Sequence, residues 1–92
     1  MHDKVVVVNS TPIIALLNIQ RLNILNRIYG IITIPNAVKD EILIKNPDFS
    51  THHKWVTVKS IVNEAAKETF TSVLHAGEVE VMILAKEINA DL

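Results

Sequence analysis

The sequence predicts an α/β fold, a small parallel sheet sandwiched between layers of helices, on three observations. Residues 5 to 8 (VVVV) and 31 to 34 (IITI) are almost wholly apolar, the pattern of strands with no solvent face. Segments with helical spacing separate them, and strands alternating with helices favour parallel pairing. Ile and Val dominate a composition that is 49% apolar but only 4% aromatic, and such β-branched bulk suits a sheet covered on both sides. With 92 residues, the chain has room for one small domain spanning residues 1 to 92.

Residues 5 to 8 form the first expected strand, central and buried. Asn9-Ser10-Thr11-Pro12 then interrupts the apolar run. Thr11 has the chemistry of an N-cap. Pro12 suits the first helical position, where its missing N–H costs nothing, and a short helix follows to about residue 17. A second helix is expected from about 21 to 29, with Leu22, Leu25 and Ile28 on one stripe and Gly30 closing it. Residues 31 to 34 make the second strand. Pro35 opens a third helix to about residue 44, with Val38 and Ile42 facing inward. Asn46-Pro47-Asp48 ends it, and 49 to 54 read as a loop. Residues 55 to 58 (WVTV) form a more polar strand, expected at a sheet edge. Residues 63 to 74 have amphipathic helical spacing. Gly77 breaks the pattern, and a last helix runs from 78 to about 88, apolar nearly all round and so expected to be deeply packed.

Several classes of function are disfavoured at once. Net charge is −1, and no Lys/Arg cluster provides a footprint for nucleic acid, so any such contact is expected to be weak or concentrated in a small patch. Cysteine is absent, which removes disulfides, thiolate metal sites and Cys nucleophiles. The N-terminal apolar run is broken at 9 to 12, so it matches neither a signal peptide nor a membrane span. No membrane partner and a cytoplasmic location are the expectation.

Sites in parallel sheets lie beyond the carboxyl ends of the strands, and Asn9 directly follows the first strand. It is either part of a strand-to-helix turn or a residue placed for chemistry. Glu41, three residues after Val38, borders the buried stripe of its helix. Glu78 falls in the first turn of the last helix, where the dipole favours a carboxylate. Glu80 lies two positions on and cannot share that face, so one of the two is a candidate ligand. Oxygen donors without His or Cys suit Mg²⁺ or Mn²⁺ rather than Zn²⁺. Such ions activate water and stabilise the leaving oxygen in phosphodiester hydrolysis.

Three blocks, VVVVNSTPIIALLNIQRLNIL, IITIPNAVKDEIL and LHAGEVEVMILAKEINADL, resemble the PIN-domain family. They are most similar to a prokaryotic branch akin to VapC-type toxin ribonucleases of toxin–antitoxin pairs. The blocks keep family order and spacing over almost the whole chain. The combination of I-P-x-A-V-x-x-E with L-x-x-G-E-x-E is the most specific part.

The resemblance implies a Mg²⁺- or Mn²⁺-dependent endoribonuclease that acts on single-stranded RNA, with an antitoxin protein as a further partner. By that likeness the first family acid falls on Asn9, the helix glutamate on Glu41 and the third acid on Glu78, with Glu80 as its companion. Asn9, Glu41 and Glu78 are the expected catalytic and metal-holding set, with Glu80 a further candidate metal ligand. Asn9 is neutral where the family has Asp. The family also continues past residues 90 to 92 (ADL) into a strand that ends in further acids and pairs beside the first strand. The sequence therefore leads us to expect an incomplete sheet, an impaired enzyme, and self-association through the uncovered edge of the first strand. The alternative is a catalytically inactive module that binds RNA or a protein.

Plainer roles compete for each residue. Asn9 to Pro12 also suit a turn and cap, Glu41 suits a pair with Lys45 one turn on, and Glu78 suits a simple helix-start carboxylate. Glu80, if buried, needs a partner. His52 and His53 are expected on a surface loop, and His75 at a helix entry. Trp55 is expected to plug the core, since no second aromatic accompanies it as a stacking platform. Arg21, Arg27 and Lys39 suit ordinary solvated positions.

Overall fold

In the computed structural model, residues 5–49, 53–70 and 76–90 are described. His52, His75 and the 71–74 end of the predicted fourth helix lie outside these. The elements are β1 (Val6–Val7), α1 (Ser10–Asn18), α2 (Asn23–Tyr29), β2 (Ile32–Pro35), α3 (Asn36–Lys45), β3 (Val56–Lys59), α4 (Glu64–Phe70) and α5 (Ala76–Glu87). Among the described residues the sheet is three-stranded and parallel, in the order β1-β2-β3. Val6 pairs with Ile32, and Ile32 pairs in turn with Val56. The β1 ladder extends one bond further, from Val8 N–H to the Thr33 carbonyl at 3.1 Å.

All four residues of β2 are buried. Successive side chains point to opposite faces, so helices must cover this strand on both sides. The edge position expected for the third strand is found, with alternating exposure along β3. The central strand, however, is β2, and β1, expected at the centre, forms the other edge among the described residues. Val5, grouped with the first strand by sequence, is 40% exposed, and burial begins at Val6.

The core is built from Val7, Ile13, Ile32, Ile34, Val38, Ile42 and Leu84, each at most 1% exposed. Burying each such side chain contributes roughly 1.5–3 kcal/mol. Val38 and Ile42 take the inner face of α3, as their four-residue spacing requires. Leu22 and Leu25 are buried at α2, but Ile28 is 65% exposed. A three-residue step falls about 60° short of a full turn, and two such steps carry Ile28 off the stripe. Gly30 closes α2 at φ +76°, and its N–H donates to the Asn26 carbonyl at 2.8 Å. A side chain at that φ would be strained.

The first helix starts earlier than the cap chemistry of Thr11 suggests. Asn9 is the N-cap in extended conformation, and its Oδ1 accepts the Ser10 N–H at 2.7 Å. Pro12 therefore sits third in the helix. It is tolerated there because the first four helical N–H groups have no intrahelical acceptor. Strand β2 is displaced by one residue from the expected span, with Ile31 exposed and Pro35 acting as the α3 cap.

Gly77 does not break a helix. It lies buried in the first turn of α5, which begins at Ala76. Val79, Val81, Leu84 and Ala85 of α5 are buried, while Met82 is 48% exposed. Glu87, near the end of α5, accepts N–H bonds from Val62 and Asn63 at 2.8–3.1 Å and so anchors the entry to α4. No helix among the described residues is long and apolar enough to cross a membrane.

Candidate functional site

The carboxyl end of β1 delivers Asn9 to the start of α1, and the surrounding elements bring two acids to the same cleft. Asn9, Ser10, Thr11, Glu41, Lys45 and Glu78 all line one open cleft of about 540 Å³. Helix α1 packs against α3, and α3 against α5, which brings their side chains to this single opening.

Glu41 is half-buried beside Val38 and Ile42. Its Oε1 accepts the Ser10 hydroxyl proton at 2.7 Å. A carboxylate only accepts, so the hydroxyl must be the donor. Such a charge-assisted bond is worth roughly 1.5–3 kcal/mol. The same carboxylate lies against the first turn of α5. A β-carbon placed on Gly77 would collide with Glu41 Oε1 and would come within 2.6 Å of its Oε2.

Glu78 is exposed one residue further along, where α5's dipole favours negative charge. It also lines a second, more apolar cleft of about 460 Å³, bounded by Val6, Val7, Val8, Leu25, Tyr29 and Met82. That cleft runs along β1.

Glu80 points elsewhere. It is 4% exposed, with Oε1 accepting the Ala37 N–H at 3.0 Å and Oε2 accepting from Lys67 Nζ at 2.7 Å. The need for a partner is met, but by a cation on α4 and by a backbone donor at the start of α3. The hydrogen bond to Glu80 raises the Lys67 pKa above its ordinary value, burial opposes it, and the charges of Glu80, Glu64 and Asp40 add to it. Glu80 lines a third cleft, which Glu41 borders but Asn9 and Glu78 do not. Three of the four sequence-predicted residues therefore share an opening, and the fourth ties helices together.

Sequence reasoning passed over Ser10, Gly77 and Lys67. Ser10 was hidden within a turn motif, and Gly77 resembled punctuation. Lys67 lies thirteen positions from Glu80 with no local spacing to link them. His53 is exposed, as expected of a surface loop residue. It stands 6.2 Å from the Phe49 ring and 5.5 Å from the Trp55 ring, centroid to centroid, and Trp55 is half-buried against the core. Arg21 and Arg27 are exposed.

A family model described as PIN domain matches residues 5–92. No curated protein matches the chain, and no solved structure does.

Proposed function

The chain belongs to the PIN-domain family, whose fold is of the nuclease type, and on that premise we propose a divalent-metal-dependent endoribonuclease. Its substrate is single-stranded RNA, its lineage is that of the toxin ribonucleases, and Asn9 weakens it. The observation that carries this reading is the shared cleft of Asn9, Glu41 and Glu78 beyond the end of β1.

The donor chemistry fits Mg²⁺ or Mn²⁺. Such ions are commonly held by one or two carboxylates, with water and substrate phosphate completing the shell. Among the described residues no group of three or more His, Cys, Asp and Glu side chains could hold a metal. In this reading the protein's share is the carboxylates of Glu41 and Glu78 and the Asn9 amide. When bound, the ion lowers the pKa of water and stabilises charge on the phosphate.

Glu41 and Glu78 supply the negative charge that retains the cation. Asn9 supplies a neutral oxygen already shared with the Ser10 N–H, so this position adds no charge to the affinity. Lys45, on the rim of the same cleft, offers a positive contact to the RNA backbone.

Cleavage of single-stranded RNA in Mg²⁺ or Mn²⁺ tests the proposal. Activity that disappears in EDTA and in Glu41→Gln supports it. No cleavage at any concentration of either ion supports a second reading, an inactive PIN-like module that binds RNA or a protein. Two observations favour that reading: the missing charge at Asn9, and the apolar cleft along β1.

A further inference from the structure

We infer that Ser10 and Gly77 are positioning residues that hold the Glu41 carboxylate at the mouth of the cleft, Ser10 by donating to it and Gly77 by leaving it room. The inference rests on the ribonuclease reading for its purpose, but its geometry stands apart from that reading.

Glu41 reaches the cleft from α3 on a long, flexible side chain, whose rotamer freedom must be suppressed if its oxygens are to stay in one place. Two contacts do this from opposite elements. From α1, Ser10 donates its hydroxyl proton to Oε1 at 2.7 Å, and Ser10 is itself only 8% exposed. The Ser10 N–H donates at 2.7 Å to Asn9 Oδ1. One residue thus contacts two of the three candidate ligands, Asn9 through its backbone and Glu41 through its side chain.

From α5, the buried Gly77 accepts the flank of the carboxylate. A β-carbon there would stand 2.6 Å from Oε2 and 2.7 Å from Cδ. Gly77 is not among the residues with positive φ, so backbone freedom does not explain a glycine at this helical position. Space for Glu41 does. The atoms in conflict are the far end of a flexible side chain, so Gly77→Ala displaces the carboxylate rather than preventing folding.

Two readouts test the inference. The first is a melting cycle of Gly77→Ala, Glu41→Ala and the double variant. With Glu41 cut back, alanine's stronger helix preference raises the melting temperature. With Glu41 present, the same change gives no gain, or a loss, because the carboxylate is expelled from its bond with Ser10. An equal shift in both backgrounds overturns the Gly77 assignment.

The second readout is Mn²⁺ binding by electron paramagnetic resonance of the free ion. Gly77→Ala and Ser10→Ala each weaken it about 10–100-fold, the usual cost of removing support from a metal ligand. Ser10→Thr, which keeps the hydroxyl, restores most of the affinity. Unchanged binding in Ser10→Ala overturns the Ser10 assignment. A wild-type protein that binds no Mn²⁺ defeats the parent reading, and the melting cycle still decides whether Gly77 makes room for Glu41.

Discussion

Replacing Glu80 with glutamine separates a helix clamp from a metal ligand. The Glu80 carboxylate, 4% exposed, uses one oxygen for the Ala37 N–H at 3.0 Å and the other for Lys67 Nζ at 2.7 Å. Glutamine has a single acceptor oxygen, so one donor loses its partner and the ionic character of the other bond is lost. Removing one member of a fully buried pair costs about 3–5 kcal/mol. The Lys67 side chain is 27% exposed, so water can reach the ammonium. The expected loss is then nearer the roughly 1.5–3 kcal/mol of a charged hydrogen bond. For a domain of this size that corresponds to roughly 6–24 °C in melting temperature.

Urea denaturation followed by far-ultraviolet circular dichroism, with an unchanged m-value, measures this directly. Lys67→Met should give a similar loss, and the double variant less than the sum of the two. A carboxylate serving mainly as a metal ligand would behave in the opposite way in metal-free buffer, since its removal relieves repulsion from Glu41. Unchanged or increased stability in Glu80→Gln would refute the clamp.

Three further outcomes follow from the same geometry. The Lys67 pKa is raised above 10.5 by its hydrogen bond with Glu80. Its stabilising contribution is therefore fully present below that value and is lost as pH rises through the higher folded-state value. Wild type should lose its advantage over Lys67→Met only in that alkaline range, as read by melts across the pH series. Leu25→Ala should cost about 2–5 kcal/mol, whereas Ile28→Gln, at a position 65% exposed, should fall within about 0.5 kcal/mol of wild type. Comparable losses would place Ile28 back in the core. Asn9→Asp adds one unit of charge to the cleft and should tighten Mn²⁺ binding about tenfold or more, with faster RNA cleavage in parallel. Weaker binding in that variant would argue that position 9 acts only as a cap.

Strand and helix order could be read from the sequence because the strongest signals are periodic. An unbroken apolar run marks β1, a run interrupted only by Thr33 marks β2, and the Val38–Ile42 spacing marks the inner face of α3. The errors came where one residue type serves two purposes. Asn9 caps α1, but Thr11 carries the same capping chemistry two residues later, and only the backbone conformation distinguishes them. Pro12 suits several positions of a first turn. Gly77 has the composition of a break but the environment of a close approach. The roles of Glu78 and Glu80 depend on packing with α3 and α4, and no spacing within α5 shows which acid lines the cleft beside Asn9 and which pairs with Lys67. The Ser10 contact with Glu41 spans thirty-one positions, beyond the reach of local pattern.

The most direct test of the shared-cation claim is a Mn²⁺ titration of wild type, Glu41→Gln, Glu78→Gln and Glu80→Gln, at a temperature where all four are folded. One saturable site is expected, weakened about tenfold or more by each of the first two substitutions and left near its wild-type strength by the third. Wild-type affinity in both Glu41→Gln and Glu78→Gln would contradict the account.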